Sequence, residues 1–114
     1  MQLLLEKGYV DSEELNRLLE ARAEGKADFV LVDVREDMEY NTGHIKGVDM
    51  LKPTSSFQEW AQAFFNETKD SMVILTCRTG SRSGQVQNIF KKNGHAGVLN
   101  HFGGIVTYRG EIER

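Results

Sequence analysis

The chain contains one cysteine, one proline and one tryptophan in 114 residues, and it has no apolar run long enough to cross a bilayer. A single cysteine excludes an internal disulfide and any cysteine-rich metal cage. The histidines, His44, His95 and His101, have no metal-ligand spacing. Basic residues number 14 against 17 acidic ones, and both signs are interspersed to a net charge of −3. That balance lacks the basic stripe of a nucleic-acid-binding domain. The apolar stretch Leu3–Leu5 is too short for a signal peptide or a membrane span. There is no repeat, no low-complexity tract and no linker, and the lone Pro53 sits in a loop. These absences lead us to expect a cytoplasmic protein that works with neither a membrane nor a nucleic acid.

The residues present are those of an ordinary globular chain, 39% apolar and 27% charged, with enough length for one domain over residues 1–114. Tyr9-Val10 reads as a brief strand end. Asp11 opens a helix with Glu14 three positions on, an aspartate form of the capping box, and Leu15, Leu18 and Leu19 form its apolar stripe. Phe29 to Val34 is a continuous apolar strand of the kind buried on both faces of a parallel sheet. Arg35 to Thr42 is a short polar helical segment closed by Gly43, and Val48 to Leu51 is a weak strand. Ser55 or Ser56 caps a helix carrying Phe57, Trp60, Ala61, Phe64 and Phe65, whose helical spacing marks core packing. A strand at 72–76, a loop, a helix from about Ser83 to Lys92 and a strand from Ala96 to Leu99 follow. Gly103-Gly104 then leads into a short terminal helix. Strands alternating with helices predict an α/β fold, a parallel sheet with right-handed crossovers and helices on both faces.

The chemistry concentrates at Cys77. The run Met72-Val73-Ile74-Leu75-Thr76-Cys77-Arg78-Thr79-Gly80-Ser81-Arg82-Ser83-Gly84 reads as a buried strand, a Gly/Ser/Thr loop and a helix start. Ligands of open α/β sheets bind at the carboxyl ends of strands. A loop there turns backbone N–H groups inward, and the helix N-terminus adds partial positive charge. A free cysteine, with a pKa of about 8.5, is only a few per cent thiolate at neutral pH. In this setting Cys77 should ionise more easily, with Arg78 and Arg82 supplying fixed positive charge. Arg82 contributes only if it turns inward.

Two motifs stand in fixed order, Asp33-Val34-Arg35-x-x-x-Glu39-x-x-x-Gly43-His44-Ile45-x-Gly47 and Cys77-Arg78-x-Gly80-x-Arg82-Ser83, with Gly103-Gly104 near the end. Together they resemble the single-domain rhodaneses, the sulfurtransferase family, over about Val10 to Tyr108. The resemblance implies a five-stranded parallel sheet flanked by helices. By position it makes Cys77 a persulfide carrier and Arg78, Thr79, Gly80, Ser81 and Arg82 the cradle for the sulfur donor and the persulfide. Such enzymes need no metal, nucleotide or flavin. The implied partners are a small-molecule donor such as thiosulfate and a thiophilic acceptor: cyanide, a small thiol or a protein cysteine. Where the family commonly carries tryptophan after the paired glycines, this chain has Tyr108, which fills much of the same volume.

The other motif residues read as support. Asp33 either orients the active loop or caps nearby amides. Arg35 and Glu39, four apart, can pair with each other. Ser83 belongs to the cradle's edge. His44 is expected to hydrogen-bond the turn at Gly43 and Gly47, and His95 and His101 to lie on the surface. An aromatic wall over the pocket from Phe64 or Phe102 is a further reading. Cysteine-dependent phosphatases and arsenate reductases use a similar Cys–Arg loop but a longer one. Only Arg78 to Ser81 intervene here, which suits a single sulfur atom better than a tetrahedral phosphate. The alternatives to small-molecule turnover are a persulfide carrier for a protein partner and a non-catalytic interaction module. The nucleophile's presence argues against the module.

Overall fold

The computed structural model describes residues 2–114. Its elements, in chain order, are α1 (Gln2–Lys7), β1 (Tyr9–Val10), α2 (Ser12–Ala23), β2 (Val30–Asp33), α3 (Asp37–Thr42), β3 (His44–Ile45) and β4 (Met50–Leu51). After these come α4 (Phe57–Thr68), β5 (Val73–Thr76), α5 (Ser81–Lys92), β6 (Val98–His101) and β7 (Ile112–Glu113). Five strands form one sheet in the order β1-β6-β5-β2-β4, and every pairing in it is parallel.

Side chains alternate across a strand, so the continuous apolar strands feed two cores at once. Val32, Val34, Val73, Leu75 and Cys77 face α4 and α5, packing with Trp60, Phe64, Val86 and Phe90. Leu31, Ile74 and Leu99 face the opposite side and meet Leu15, Phe29 and Tyr108, with Leu4, Leu5, Leu18 and Leu19 of α1 and α2 packed against them. Helices therefore cover both faces, as the alternation of elements predicts. Asp33 pairs in register with Thr76 on β5, and Leu75 with Asn100 on β6. The carboxyl ends of the central strands thus lie side by side and present one edge to the loops.

Local signals explain most boundaries. Asp11 accepts the Glu14 N–H while the Glu14 carboxylate takes the Asp11 N–H, completing the predicted capping box. Neither Ser55 nor Ser56 caps α4 through its side chain: a 3₁₀ turn over Thr54–Ser56 leads into the helix, and Ser55 bonds Glu36 instead. α5 begins at Ser81, ahead of the expected Ser83, because Gly80 already occupies its N-cap position. The last parallel strand runs over Val98–His101, not Ala96–Leu99, and the expected terminal helix is a single 3₁₀ turn over Ile105–Thr107. α1 and the antiparallel β3–β7 ribbon are additions to the sequence reading. Two-residue strands are too short for periodicity to reveal. Tyr108 is buried where the tryptophan of relatives is expected, and its hydroxyl donates to Asn16 Oδ1 at 3.1 Å.

Candidate functional site

Cys77 directly follows β5, and its side chain is buried in the α4–α5 core face with 1% exposure. The loop then reverses over Gly80, whose φ of 94° lies in the left-handed region that favours glycine. A Cβ at that position would come within 3.0 Å of the His101 carbonyl oxygen and 3.2 Å of the Gly103 nitrogen. Gly104 is tighter: a Cβ there would sit 2.3 Å from the Arg78 carbonyl oxygen. Behind the loop, the Ile105 N–H donates to the Cys77 carbonyl at 2.9 Å and the Val106 N–H to the Arg78 carbonyl at 3.2 Å. The paired glycines let a second backbone lie flush against the cysteine loop and brace it.

Three donors converge on the sulfur. The Gly80 N–H lies 3.1 Å from Sγ, the Ser83 N–H 3.5 Å and the Ser83 hydroxyl 3.4 Å. Burial raises the thiol pKa, but these bonds stabilise the thiolate more, and the net displacement is downward. The sulfur lies at the N-terminus of α5, where orphan N–H groups favour negative charge. The arrangement suits a nucleophilic sulfur and can hold negative charge as it develops.

The five loop residues expected to bind a donor divide by surroundings. Arg78, Thr79 and Ser81 are exposed, and Gly80 and Arg82 are half-buried. Arg78 has no ion-pair partner among the described residues. Arg82 does not present an open fork: its Nη1 and Nη2 donate to Glu39 Oε1 and Oε2 at 2.7 and 2.9 Å. The Arg82 guanidinium holds the Glu39 carboxyl at a pKa of about 2.

The expected Arg35–Glu39 pair is therefore replaced. Arg35 turns back onto Asp33, with Nε and Nη2 reaching both carboxylate oxygens at 2.8–3.0 Å, and Nη2 also donates to the Gly43 carbonyl at 2.7 Å. Asp33 neither orients the cysteine loop through its side chain nor acts solely as a cap. Its Oδ1 does accept the Arg35 N–H, but the carboxylate is chiefly an ion-pair partner.

The histidines also depart from expectation. His44 Nδ1 bonds the Tyr40 carbonyl at 3.1 Å, not the Gly43–Gly47 turn, and its ring stacks on Tyr40. His95 and His101 are fully buried, not surface residues. The His95 Nδ1 accepts the Gly97 N–H, and Nε2 meets Thr68, whose hydroxyl donates to the Phe64 carbonyl. His101 bridges Thr76 Oγ1 at 2.7 Å and Ser12 Oγ at 2.8 Å, and burial lowers its pKa to about 4. Phe64 packs in the core and makes no pocket wall; Phe102 is 63% exposed and leans on Tyr9.

The sequence reading overlooked Asn100. From β6 its Nδ2 donates to the Gly80 carbonyl at 3.1 Å, and its Oδ1 accepts from the Ser83 hydroxyl at 2.5 Å. A polar residue ending the apolar run of a strand, three positions before the paired glycines, was the available signal. Among the described residues, no group of His, Cys, Asp and Glu side chains converges as a metal site, and no helix is long and apolar enough to cross a membrane.

The chain belongs to the rhodanese-like domain family, whose model matches residues 13–111. A tRNA uridine(34) hydroxylase of Acinetobacter baumannii is 30% identical over 102 residues, which are 88% of this chain and 31% of that protein. A tRNA uridine(34) hydroxylase of Streptococcus thermophilus is 33% identical over 85 residues, 71% of this chain and 25% of that protein. The chain thus spans less than a third of the length of these curated relatives. The fold is that of a Staphylococcus aureus rhodanese-like domain protein, with a TM-score of 0.73 at 24% identity over 92% of this chain and 95% of that one. The rhodanese-like domain of an Anabaena protein gives a TM-score of 0.72 at 24% identity, over 93% of this chain and 78% of that one.

Proposed function

We propose that this protein is a sulfurtransferase that carries sulfane sulfur as a persulfide on Cys77. The observation that carries the reading is the cradle itself: a buried sulfur met by the Gly80 and Ser83 N–H groups at 3.1 and 3.5 Å, at the start of a helix. The Cys77 thiolate attacks the outer sulfur of a donor such as thiosulfate. The donor's S–S bond breaks, sulfite leaves with the electron pair, and Cys77–S–S⁻ remains. The loop amides hold the charge without reorganising. A thiophilic acceptor then attacks the outer sulfur, and the Cys77 thiolate is released. With one cysteine in the chain, the acceptor comes from outside: cyanide, a small thiol or a protein cysteine. Arg78, exposed and unpaired among the described residues, suits the capture of an anionic donor. The remaining loop residues, Thr79, Gly80, Ser81 and Arg82, shape the cradle. The chemistry as drawn needs neither metal nor organic cofactor, and the site of action we assign is the cytoplasm.

The test is intact mass after incubation with thiosulfate, for the natural chain and for Cys77→Ser, followed by cyanide. We expect the natural chain to gain one sulfur atom, to lose it to cyanide and to release thiocyanate. Cys77→Ser should gain nothing while keeping its fold. No uptake from thiosulfate or from other persulfide donors would overturn the reading.

A second reading follows from the names of the curated relatives: a part in hydroxylation of uridine 34 of tRNA. Its support is similarity along 88% of this chain. The net charge of −3 speaks against tRNA binding by this segment alone. Salt-sensitive binding of tRNA by the isolated chain would favour it.

A further inference from the structure

We propose that Asn100 is a positioning residue for Cys77: it anchors the Gly80 turn and holds the Ser83 hydroxyl proton away from the sulfur, and so governs how readily Cys77 ionises.

The argument is one of donors and acceptors. The Gly80 carbonyl can only accept, so the Asn100 atom 3.1 Å away is the amide nitrogen. That orientation turns Oδ1, which can only accept, toward Ser83. The Ser83 oxygen lies 2.5 Å from Oδ1 and 3.4 Å from the Cys77 sulfur. A hydroxyl has one proton. While Cys77 is a thiol, that proton bonds Asn100, and the S–H can point at a serine lone pair. When the thiolate forms, the negative sulfur competes for the same proton. A swing toward sulfur leaves Oδ1 without its partner. Each ionisation therefore proceeds against one neutral hydrogen bond held by β6.

The two backbone donors, from Gly80 and Ser83, are not contested in this way. Asn100 supports the first by gripping the carbonyl of the same Gly80. The charged and titratable groups around the sulfur come from every neighbouring element. Arg82 of α5 attracts the thiolate, and Glu39 of α3 answers Arg82. Asp33, the last residue of β2, and Arg35 just after it are paired with each other, Arg78 of the loop is exposed, and His101 of β6 is buried between Thr76 and Ser12. None of these touches the Ser83 hydroxyl, so the competition between Asn100 and sulfur is separable from them.

The proposal rests on Cys77 as the reacting group, and its test uses no sulfur donor, so its failure and that of the sulfurtransferase reading are distinguishable. The thiolate is titrated by its ultraviolet absorbance, and by the pH dependence of alkylation, in the natural chain, Asn100→Ala, Ser83→Ala and the double variant. Freeing the serine proton in Asn100→Ala should move the Cys77 midpoint down by about half to one pH unit through Ser83. Ser83→Ala should then raise the midpoint more in the Asn100→Ala background than in the natural chain. Equal displacements in the two backgrounds overturn the proposal, whatever Asn100→Ala does alone through the Gly80 turn. If Asn100→Ala loses its native circular dichroism, the same cycle is run with Asn100→Leu, which fills the volume without a polar atom.

Discussion

Two carboxylate–guanidinium pairs grow from the same short stretch of chain, and they differ in one respect. Asp33–Arg35 and Glu39–Arg82 are both forked, with each arginine reaching both oxygens of its partner. The first has side chains 1% and 6% exposed, and the second 30% and 32%. Inside the fold, Arg35 has no water to replace its partner, and its spare N–H reaches the Gly43 carbonyl that closes α3. That pair ties the end of β2 to the end of α3 and acts as scaffold. Water reaches the second pair, which sits beside the cysteine loop, so its partners can exchange with an incoming anion. Burial assigns the role; the residue types do not.

The contrast is most directly broken by truncating the buried pair. Asp33→Ala or Arg35→Ala leaves an unpaired charge in the interior and should lower stability by about 3–5 kcal/mol, read by denaturant unfolding. A loss as small as that at a surface pair would mean that water enters this end of the sheet.

Next in size is the acid response of His101, another buried titratable group at the carboxyl edge. Its native pKa is about 4 against an ordinary 6.5, with burial as the first cause, so the unfolded chain binds the proton more readily. Stability should be complete above pH 6.5 and fall as pH drops toward 4, by about 3 kcal/mol for the full displacement. Glu39, held down to about 2 from 4.5, adds a smaller loss only as pH falls from 4.5 toward 2. In His101→Gln the upper window should flatten in urea titrations at successive pH values. An unchanged slope there would assign the acid response to another group.

Smallest in stability is Glu39→Gln. A half-exposed pair contributes under about 1 kcal/mol, so the melting temperature should barely move. The pocket edge, however, would lose a negative charge and Arg82 would regain an open charge. The KM for thiosulfate should therefore fall several-fold. A rise in KM would mean that Arg82 must be held by Glu39 to shape the cradle.

The legible parts of this protein are those written in neighbouring residues. Phe29–Val34 and Met72–Thr76 declare strands buried on both faces, and the two cores show why no polar alternation interrupts them. The Asp11–Glu14 box is local chemistry and stands where the sequence places it, and the helix after the cysteine loop starts within two residues of the expected Ser83. The cradle around Cys77 is equally local, because residues 78–83 of one segment supply its N–H donors. Contacts across the sequence were not legible. Glu39 and Arg82 are 43 positions apart, and Arg35 chose a neighbour two positions back over one four positions on.

Composition and spacing alone were enough for the layered α/β architecture and for a cysteine loop with inward N–H groups, because each depends on periodicity or on consecutive residues. Which arginine remains open at the loop, which histidines are buried and how Asn100 reaches the Ser83 hydroxyl all depended on the sheet. Parallel pairing sets β6 beside β5 in fixed register, with Leu75 opposite Asn100. Hydrogen bonds between side chains 17 to 43 residues apart exist only once that register is formed.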